Sequence, residues 1–190
     1  MKANQPVPRR HMLGIGLSCA ATFLFGASSS QAAKVPRSHG PSTRRIVNLA
    51  TGEKSGTILI SNGGRTLDVV RDAGSVERYA IGIGRPGFAW TGIVTVGAKS
   101  EWPSWTPPAE MRRRQPELPD MVPPGPFNPL GARALYLYRS GHDTLFRIHG
   151  TNDAATIGGY VTSGCFRMTN ADILYLYPRV PIGTKVIVRA

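Results

Sequence analysis

The sequence predicts a mostly β fold, a small β-sandwich or barrel, and two features of the chain support this prediction. Short apolar or alternating segments rich in β-branched residues recur along the chain, and strong turn signals such as Asn62-Gly63-Gly64 separate them. Segments of this kind at this spacing are typical of short antiparallel strands. The composition, 41% hydrophobic and 18% charged, is that of a chain able to bury a core.

The individual elements follow in chain order. Strands are predicted over residues 57–61, 66–70, 75–82, 93–96, 134–138, 144–148 and 185–188. One helix is predicted from Thr169 to about Tyr177, because Thr169 or Asn170 can cap its start and Pro178 can end it. The expected fold is therefore β-rich, with one short helix near the C-terminus.

A long Pro-rich loop interrupts this arrangement between residues 103 and 129. It contains nine prolines, follows Trp102, includes Trp105 and carries an arginine run at residues 112–114. A segment of this length without regular structure is usually a functional loop or disordered. Its aromatic and proline content favours an ordered lid.

Residues 1–33 have the features of a secretory signal peptide. Basic residues precede an uncharged apolar stretch from Met12 to Gly26, and small residues near Ala33 suit cleavage. Arg9-Arg10 also fits a twin-arginine export signal, although two arginines in an ordinary basic leader fit equally well. Residues 34–54, rich in Pro, Ser, Arg and Gly, are predicted to be a flexible basic tether. The remaining residues, 55–190, form the predicted domain, which would be soluble in the periplasm or cell envelope after cleavage.

The net charge of +12 is concentrated at the N-terminus. Seven of the 23 basic residues and none of the 11 acidic residues precede Glu53. A basic exported protein is attracted to anionic surfaces, such as acidic glycopeptides, anionic lipids or nucleic acids. Nucleic-acid binding is disfavoured because the sequence contains no element that would recognise it.

Cysteine usage points to a reactive thiol. Cys19 lies within the predicted leader, so Cys165 would be unpaired in the mature chain. Such a cysteine is a buried inert thiol, an intermolecular link or a nucleophile. An unpaired thiol is a liability in an oxidising compartment, which favours the nucleophile. A thiol-redox role is disfavoured because no second cysteine follows in Cys-x-x-Cys spacing.

His149 and Cys165 are the candidate catalytic pair. His149 ends a predicted strand, and Cys165 follows 16 residues later in a glycine-flanked turn just before the predicted helix. The helix N-terminus would favour the thiolate, and an imidazole would take the thiol proton. Backbone N–H groups around Gly164 and Cys165 would bind an oxyanion, and Arg167 would bind a substrate carboxylate.

Structural roles for the same residues remain open at this point. A single His or Cys in a small domain is commonly structural, and in that case Gly164 would only permit a tight turn. Arg167 has two candidate ion-pair partners, Asp153 and Asp172.

The residues around the candidate pair resemble a known motif. The matching residues are His149-Gly150, then Ser163-Gly164-Cys165-Phe166-Arg167-Met168, with Asn170. The order, residue types and spacing resemble the motif of the L,D-transpeptidase family (YkuD; ErfK/YbiS-like), and the resemblance covers roughly residues 55 to 190. Ser163 stands where many members have a second histidine.

The resemblance implies a β-rich catalytic fold and a thioester mechanism on peptidoglycan stem peptides. Cys165 would attack the bond between the diamino acid and D-alanine, and His149 would act as base and then acid. The backbone carbonyl of Ser163 or Gly164 would orient the imidazole. Arg167 and Asn170 would support substrate binding, with Asn170 holding the turn. The resemblance implies no metal and no cofactor.

Two other functions fit the same sequence. In an L,D-carboxypeptidase or amidase, water instead of an amine would resolve the thioester. A non-catalytic wall-binding module would keep the fold alone. For a transpeptidase, the acceptor amine would come from a stem peptide, a lipoprotein lysine or a D-amino acid.

Overall fold

A computed structural model describes residues 40–72 and 74–190 of the chain. The predicted signal peptide, residues 1–33, and the first part of the predicted tether lie outside the described residues. Within these two ranges, no helix is long and apolar enough to cross a membrane.

The described residues form eleven strands and two short α-helices, and the prediction of a mostly β fold is confirmed. The strands are β1 Arg45–Asn48, β2 Ile58–Ser61, β3 Thr66–Val70, β4 Ser75–Ala80, β5 Ile83–Gly84, β6 Gly92–Glu101, β7 Arg133–Arg139, β8 His142–His149, β9 Tyr160–Thr162, β10 Phe166–Arg167 and β11 Lys185–Arg189. The helices are α1 Ala109–Arg114 and α2 Asn170–Leu176, and two 3-10 helices span Ala154–Thr156 and Tyr177–Arg179.

Nine strands form one sheet in the order β1-β4-β3-β2-β11-β6-β7-β8-β10, and β5 pairs with β9. Most neighbours are antiparallel, but β11 runs parallel to β2, β10 parallel to β8 and β5 parallel to β9. The strand that follows the candidate cysteine is thus attached directly to the strand that ends in the candidate histidine.

The main core lies on one face of the large sheet, against α2. Residues that alternate along the central strands are essentially fully buried, as expected for strands with one face in a core. The largest of these side chains are Ile58, Ile60, Leu67, Tyr79, Leu135, Leu137, Ile148 and Phe166. Complete burial of one such side chain contributes roughly 1.5–3 kcal/mol. The two strands that carry the candidate site are therefore fixed by their core-facing residues.

The predicted helix after the cysteine is confirmed as α2. Its N-cap is Thr169, whose hydroxyl accepts a hydrogen bond from the Asp172 N–H at 3.1 Å. The sequence did not predict α1, which lies inside the Pro-rich loop. Pro108 precedes this six-residue helix and Pro116 follows its C-cap, so it is too short for an apolar periodicity to develop.

The described part of the predicted tether is folded. Residues 45–48 form β1, which pairs antiparallel with β4. Ser42 and Thr43 donate hydrogen bonds to the carboxylate of Asp172, which is fully buried. Polar composition suggested flexibility, but backbone pairing and donors for a buried carboxylate do not require apolar residues. The folded unit thus begins before the predicted boundary at residue 55.

Candidate active site

Strand alternation places the candidate residues on one face of the sheet. His149 is the last residue of β8 and lies in register with Arg167 of β10. Their neighbours Ile148 and Phe166 point into the core and are 0% and 1% exposed. Cys165 precedes β10 and is two residues from Arg167, so it lies on the side opposite the core. His149, Cys165 and Arg167 all line a single cavity of about 500 Å³.

The Pro-rich loop forms one wall of this cavity, in keeping with the expectation of an ordered segment near the site. Lining residues from this loop and its flanks are Trp105, Pro108, Glu110, Met111, Arg114, Gln115, Pro129 and Leu130. Trp105 and Val122 bridge the two ends of the loop through reciprocal backbone hydrogen bonds of 2.9 and 2.8 Å. The segment that contains α1 is therefore closed by backbone hydrogen bonds between its two sides.

A buried asparagine anchors this wall. The Nδ2 of Asn128 donates to the carbonyl oxygens of Pro103, Val122 and Pro123 at 2.8, 3.1 and 3.1 Å. Its Oδ1 accepts from the Leu130 N–H at 2.8 Å, and the side chain is fully buried. Sequence reasoning gave Asn128 no role, although an apolar-flanked asparagine among prolines is a signal that backbone groups need a partner.

The carbonyl that contacts the imidazole belongs to Gly150. The Nδ1 of His149 lies 2.6 Å from the Gly150 carbonyl oxygen. The expectation that Ser163 or Gly164 supplies this carbonyl is wrong: the Gly164 carbonyl accepts from Trp90 Nε1 at 2.9 Å. The residue next in sequence reaches the ring because β8 ends at His149 and the chain turns there. A carbonyl only accepts, so Nδ1 carries the proton and Nε2 keeps its lone pair.

His149 is buried, with 4% of its surface exposed. Burial and the positive charge of Arg167 lower the pKa of His149 to about 3, although the hydrogen bond to Gly150 opposes this shift. The imidazole is therefore neutral over the physiological pH range, and is able to accept a proton.

Cys165 is half-buried, and its Sγ lies 3.9 Å from the Leu145 carbonyl oxygen. Burial raises the pKa of the Cys165 thiol, whereas the Arg147 backbone N–H and the charges of Arg147 and Arg167 lower it. The expectation that a helix N-terminus favours the thiolate is not met, because β10 intervenes and α2 begins only at Asn170. The resting pair is a neutral thiol and a neutral imidazole.

The turn that presents Cys165 depends on Gly164. Its φ is +111°, and a Cβ atom there would lie 2.4 Å from the ring of Phe146, which stacks on Trp90. Thr162 Oγ1 closes the turn by donating to the Cys165 carbonyl at 2.7 Å and accepting from the Gly164 N–H at 3.2 Å. The Gly164 N–H is thereby engaged, so of the two predicted oxyanion donors the Cys165 N–H is the one left for a ligand.

Arg167 lines the cavity without a carboxylate partner among the described residues. Its Nη1 donates to Thr156 Oγ1 at 3.0 Å, and its buried Nε has no acceptor. Neither Asp153 nor Asp172 forms a salt bridge with it. Ser163 also lines the cavity, where its Oγ accepts from Arg85 Nη2 at 3.3 Å.

Asn170 lies behind the site instead of in the cavity. Its Oδ1 accepts from the N–H groups of Ala132 and Thr151 at 2.9 and 3.2 Å, and its Nδ2 donates to the Thr151 carbonyl at 2.8 Å. Both polar atoms of its side-chain amide thus bond backbone groups, and Asn170 does not line the cavity. The expectation that Asn170 contacts the substrate is therefore not met. The expectation that Asn170 holds a turn fits this geometry, because it bonds Thr151, the residue after Gly150, to Ala132 N–H of a neighbouring segment.

The described part of the chain contains no cluster of metal-ligating side chains. No group of three or more His, Cys, Asp or Glu side chains there is placed to hold an ion.

Comparison with known proteins identifies the family. The model of the YkuD L,D-transpeptidase catalytic domain matches residues 55–188. The probable L,D-transpeptidase ErfK/SrfK of Escherichia coli is 44% identical over 123 residues, which are 60% of this chain and 37% of that protein. This chain thus spans about a third of the length of this relative and of the probable L,D-transpeptidase YbiS of Escherichia coli.

Two solved structures show the same fold. A Brucella melitensis protein named a probable carnitine operon oxidoreductase is 42% identical, with a TM-score of 0.53 over 77% of this chain and 92% of its own. An Enterococcus faecium L,D-transpeptidase is 16% identical, with a TM-score of 0.55 over 72% of this chain and 50% of its own. The name of the Brucella melitensis protein denotes an oxidoreductase, whereas the family model and the curated relatives are L,D-transpeptidases. The chain belongs to the YkuD family of L,D-transpeptidase catalytic domains.

Proposed function

We propose that this protein is an L,D-transpeptidase acting on peptidoglycan stem peptides, with Cys165 as nucleophile and His149 as general base. One observation carries the proposal: His149 and Cys165 line the same cavity, and the Gly150 carbonyl fixes Nδ1 of His149 as the protonated nitrogen. Nε2 is then the basic atom of the pair.

The first step forms a thioester. Cys165 Sγ attacks the carbonyl carbon between the third residue, a diamino acid, and the fourth residue, D-alanine, of a donor tetrapeptide. The thiol proton moves to Nε2 of His149 during the attack, because both groups are neutral at rest. The tetrahedral intermediate collapses as His149 returns this proton to the leaving amine, and D-alanine departs.

The second step resolves the thioester. An acceptor amine attacks the thioester carbonyl and gives its proton to His149, which passes it to the departing thiolate of Cys165. The new amide joins donor and acceptor, and the enzyme returns to its neutral resting state. The acceptor is a stem peptide, a lipoprotein lysine or a D-amino acid, and the reaction would take place in the periplasm or cell envelope after export through the N-terminal leader.

Two groups support the transition state in this proposal. The N–H of Cys165 stabilises the oxyanion, a role in which one donor typically contributes 10²–10³-fold to the rate. Arg167 binds a donor carboxylate, because it lines the cavity without a carboxylate partner among the described residues and an arginine fork suits a carboxylate.

The test is muropeptide analysis after incubation of the full chain, wild type and Cys165→Ala, with a disaccharide-tetrapeptide. Release of D-alanine and formation of a 3→3 dimer by the wild type alone would support the transpeptidase. Release of D-alanine that yields only the tripeptide, with neither a dimer nor a product joined to an added D-amino acid or lysine peptide, would instead identify an L,D-carboxypeptidase. No release by the wild type would favour a non-catalytic wall-binding module.

A further inference from the structure

Arg85 stands beside the turn that carries the candidate nucleophile. The parallel pairing of β5 with β9 places Gly84 opposite Thr162, and the Arg85 N–H donates to the Thr162 carbonyl at 3.0 Å. From there its Nη2 reaches Ser163 Oγ at 3.3 Å, and the side chain lines the cavity at its exposed rim. The backbone thus fixes a guanidinium two residues from Cys165.

The charges around the cavity are unevenly paired. Arg114 forms an ion pair with Glu110, and Arg147 forms one with Asp143. In contrast, neither Arg85 nor Arg167 has a carboxylate within salt-bridge distance among residues 40–72 and 74–190. Two guanidiniums that border the cavity are therefore available to an anionic ligand.

The backbone positions of Arg85 and Arg167 are spaced to suit a peptide. Gly82 and Arg167 exchange two backbone hydrogen bonds of 2.8 Å, so Arg167 lies level with Gly82. Arg85 lies three residues further along, or about 10 Å at roughly 3.3 Å per extended residue. The same distance corresponds to about three residues of an extended peptide. In the sequence of the turn, Cys165 lies between Ser163, which Arg85 contacts, and Arg167.

The difference in burial between Arg167 and Arg85 indicates how a peptide would be oriented in the cavity. Arg167 is half-buried in the cavity, where a compact carboxylate at the end of a peptide can reach it. Arg85 is exposed at the rim, where the rest of the stem would leave the cavity towards the glycan. Phe88 lies beneath the guanidiniums of both Arg85 and Arg114, 5.4 and 5.1 Å from their central carbon atoms, and restricts the position of Arg85.

We infer that Arg85 is a specificity-determining residue that binds a second donor carboxylate, on the side of the scissile bond opposite the carboxylate held by Arg167. The inference rests on the proposed function. The donor class it names is a peptide with a free carboxylate both upstream of the cleaved bond and on the departing residue. Amidation of the upstream carboxylate removes the charge that Arg85 recognises.

The test compares donor stem peptides with the upstream carboxylates free or amidated, using the full chain. An exposed ion pair contributes only modestly to binding, so Arg85→Gln should raise KM for the free-acid donor about 3–5-fold and leave kcat unchanged. KM for the amidated donor should be the same in Arg85→Gln and wild type. Arg85→Lys should recover part of the loss, because it keeps the charge without the fork.

Arg45→Gln is the matched control, because Arg45 is exposed on β1, at the opposite end of the sheet from β10. It should leave KM for both donors unchanged. An equal rise in KM for both donors in Arg85→Gln, or no rise for either, would overturn the role of Arg85 while D-alanine release leaves the proposed function intact. Absence of D-alanine release by the wild type from both donors would overturn the proposed function and this inference with it.

Discussion

The Nδ1 of His149 lies 2.6 Å from the carbonyl oxygen of Gly150, the next residue in the chain. The direction of this carbonyl determines which imidazole nitrogen keeps a lone pair. The backbone N–H and carbonyl of Thr151, the residue after Gly150, are held by the buried amide of Asn170, which also bonds the Ala132 N–H. The geometry of the proposed base is therefore fixed from behind the cavity, by a side chain that does not line it.

Asn170→Ala should lower kcat at least tenfold with little change in KM, because the Gly150 carbonyl loses its support while the cavity walls remain. Loss of these buried hydrogen bonds should also reduce the free energy of unfolding by about 1–3 kcal/mol. Steady-state kinetics on a tetrapeptide donor, with stability from denaturant unfolding, measure both effects. Asn128→Ala is the comparison: its buried amide anchors the cavity wall, so it should mainly raise KM. A change confined to KM in Asn170→Ala would contradict the positioning role.

Gly164→Ala should abolish activity and destabilise the fold. The new Cβ would lie 2.4 Å from the Phe146 ring at a φ of +111°. Gly183→Ala serves as control, because Gly183 has a φ of +91° and no atom within 4 Å of an added Cβ. Both variants carry the backbone strain of about 1–2 kcal/mol, and overpacking should cost Gly164→Ala about 1–3 kcal/mol more. Equal loss of stability and full activity in both variants would show that contact with Phe146 does not matter.

The free energy of unfolding should fall as the pH is lowered from about 6.5 towards 3. The unfolded chain takes up a proton on His149 near its ordinary pKa of 6.5, whereas burial and Arg167 keep the folded imidazole neutral down to a pKa of about 3. The unfolded state therefore binds more protons in this window, and stability is lost by up to about 1.4 kcal/mol per pH unit. Denaturant unfolding of wild type and His149→Gln measures this effect. A slope that is the same in both proteins would show that His149 is not buried in its neutral form.

Thr43→Val should destabilise the protein without changing its activity at low temperature. The Thr43 hydroxyl donates to the buried Asp172 carboxylate at 2.7 Å and accepts from the Ala80 N–H at 2.9 Å. Leaving these groups without a partner costs about 1–3 kcal/mol. Thr51→Val is the control, because its hydroxyl accepts only a 3.4 Å bond from the Glu53 N–H and should cost less than about 0.5 kcal/mol. Similar stability of the two variants would mean that residues before 49 are not part of the folded unit.

Local sequence signals predicted β2, β3, β4, β6, β7, β8 and β11, the helix α2 and its Thr169 cap, because apolar alternation and capping depend on neighbouring residues. They did not predict β1, β5, β9 or β10. The sequence also singled out His149, Cys165, Ser163 and Arg167, and the structure places all four around one cavity. The Gly150 contact was not predicted, since it depends on how the chain leaves β8. Contacts between segments distant in the sequence were not predicted either, because they depend on the tertiary fold. Examples are the hydrogen bonds of Ser42 and Thr43 with Asp172 and of Arg85 with Ser163.

The central claim is that Cys165 carries the donor as a thioester, and intact-mass measurement tests it most directly. The full chain is mixed with a stem tetrapeptide whose side-chain amine is acetylated, so that no amine acceptor is present, and is quenched in acid. The account predicts a mass increase equal to the donor minus D-alanine on the wild type, with no adduct on Cys165→Ala and slower formation on His149→Gln. An adduct that persists in Cys165→Ala, or D-alanine release by Cys165→Ala at the wild-type rate, would contradict it.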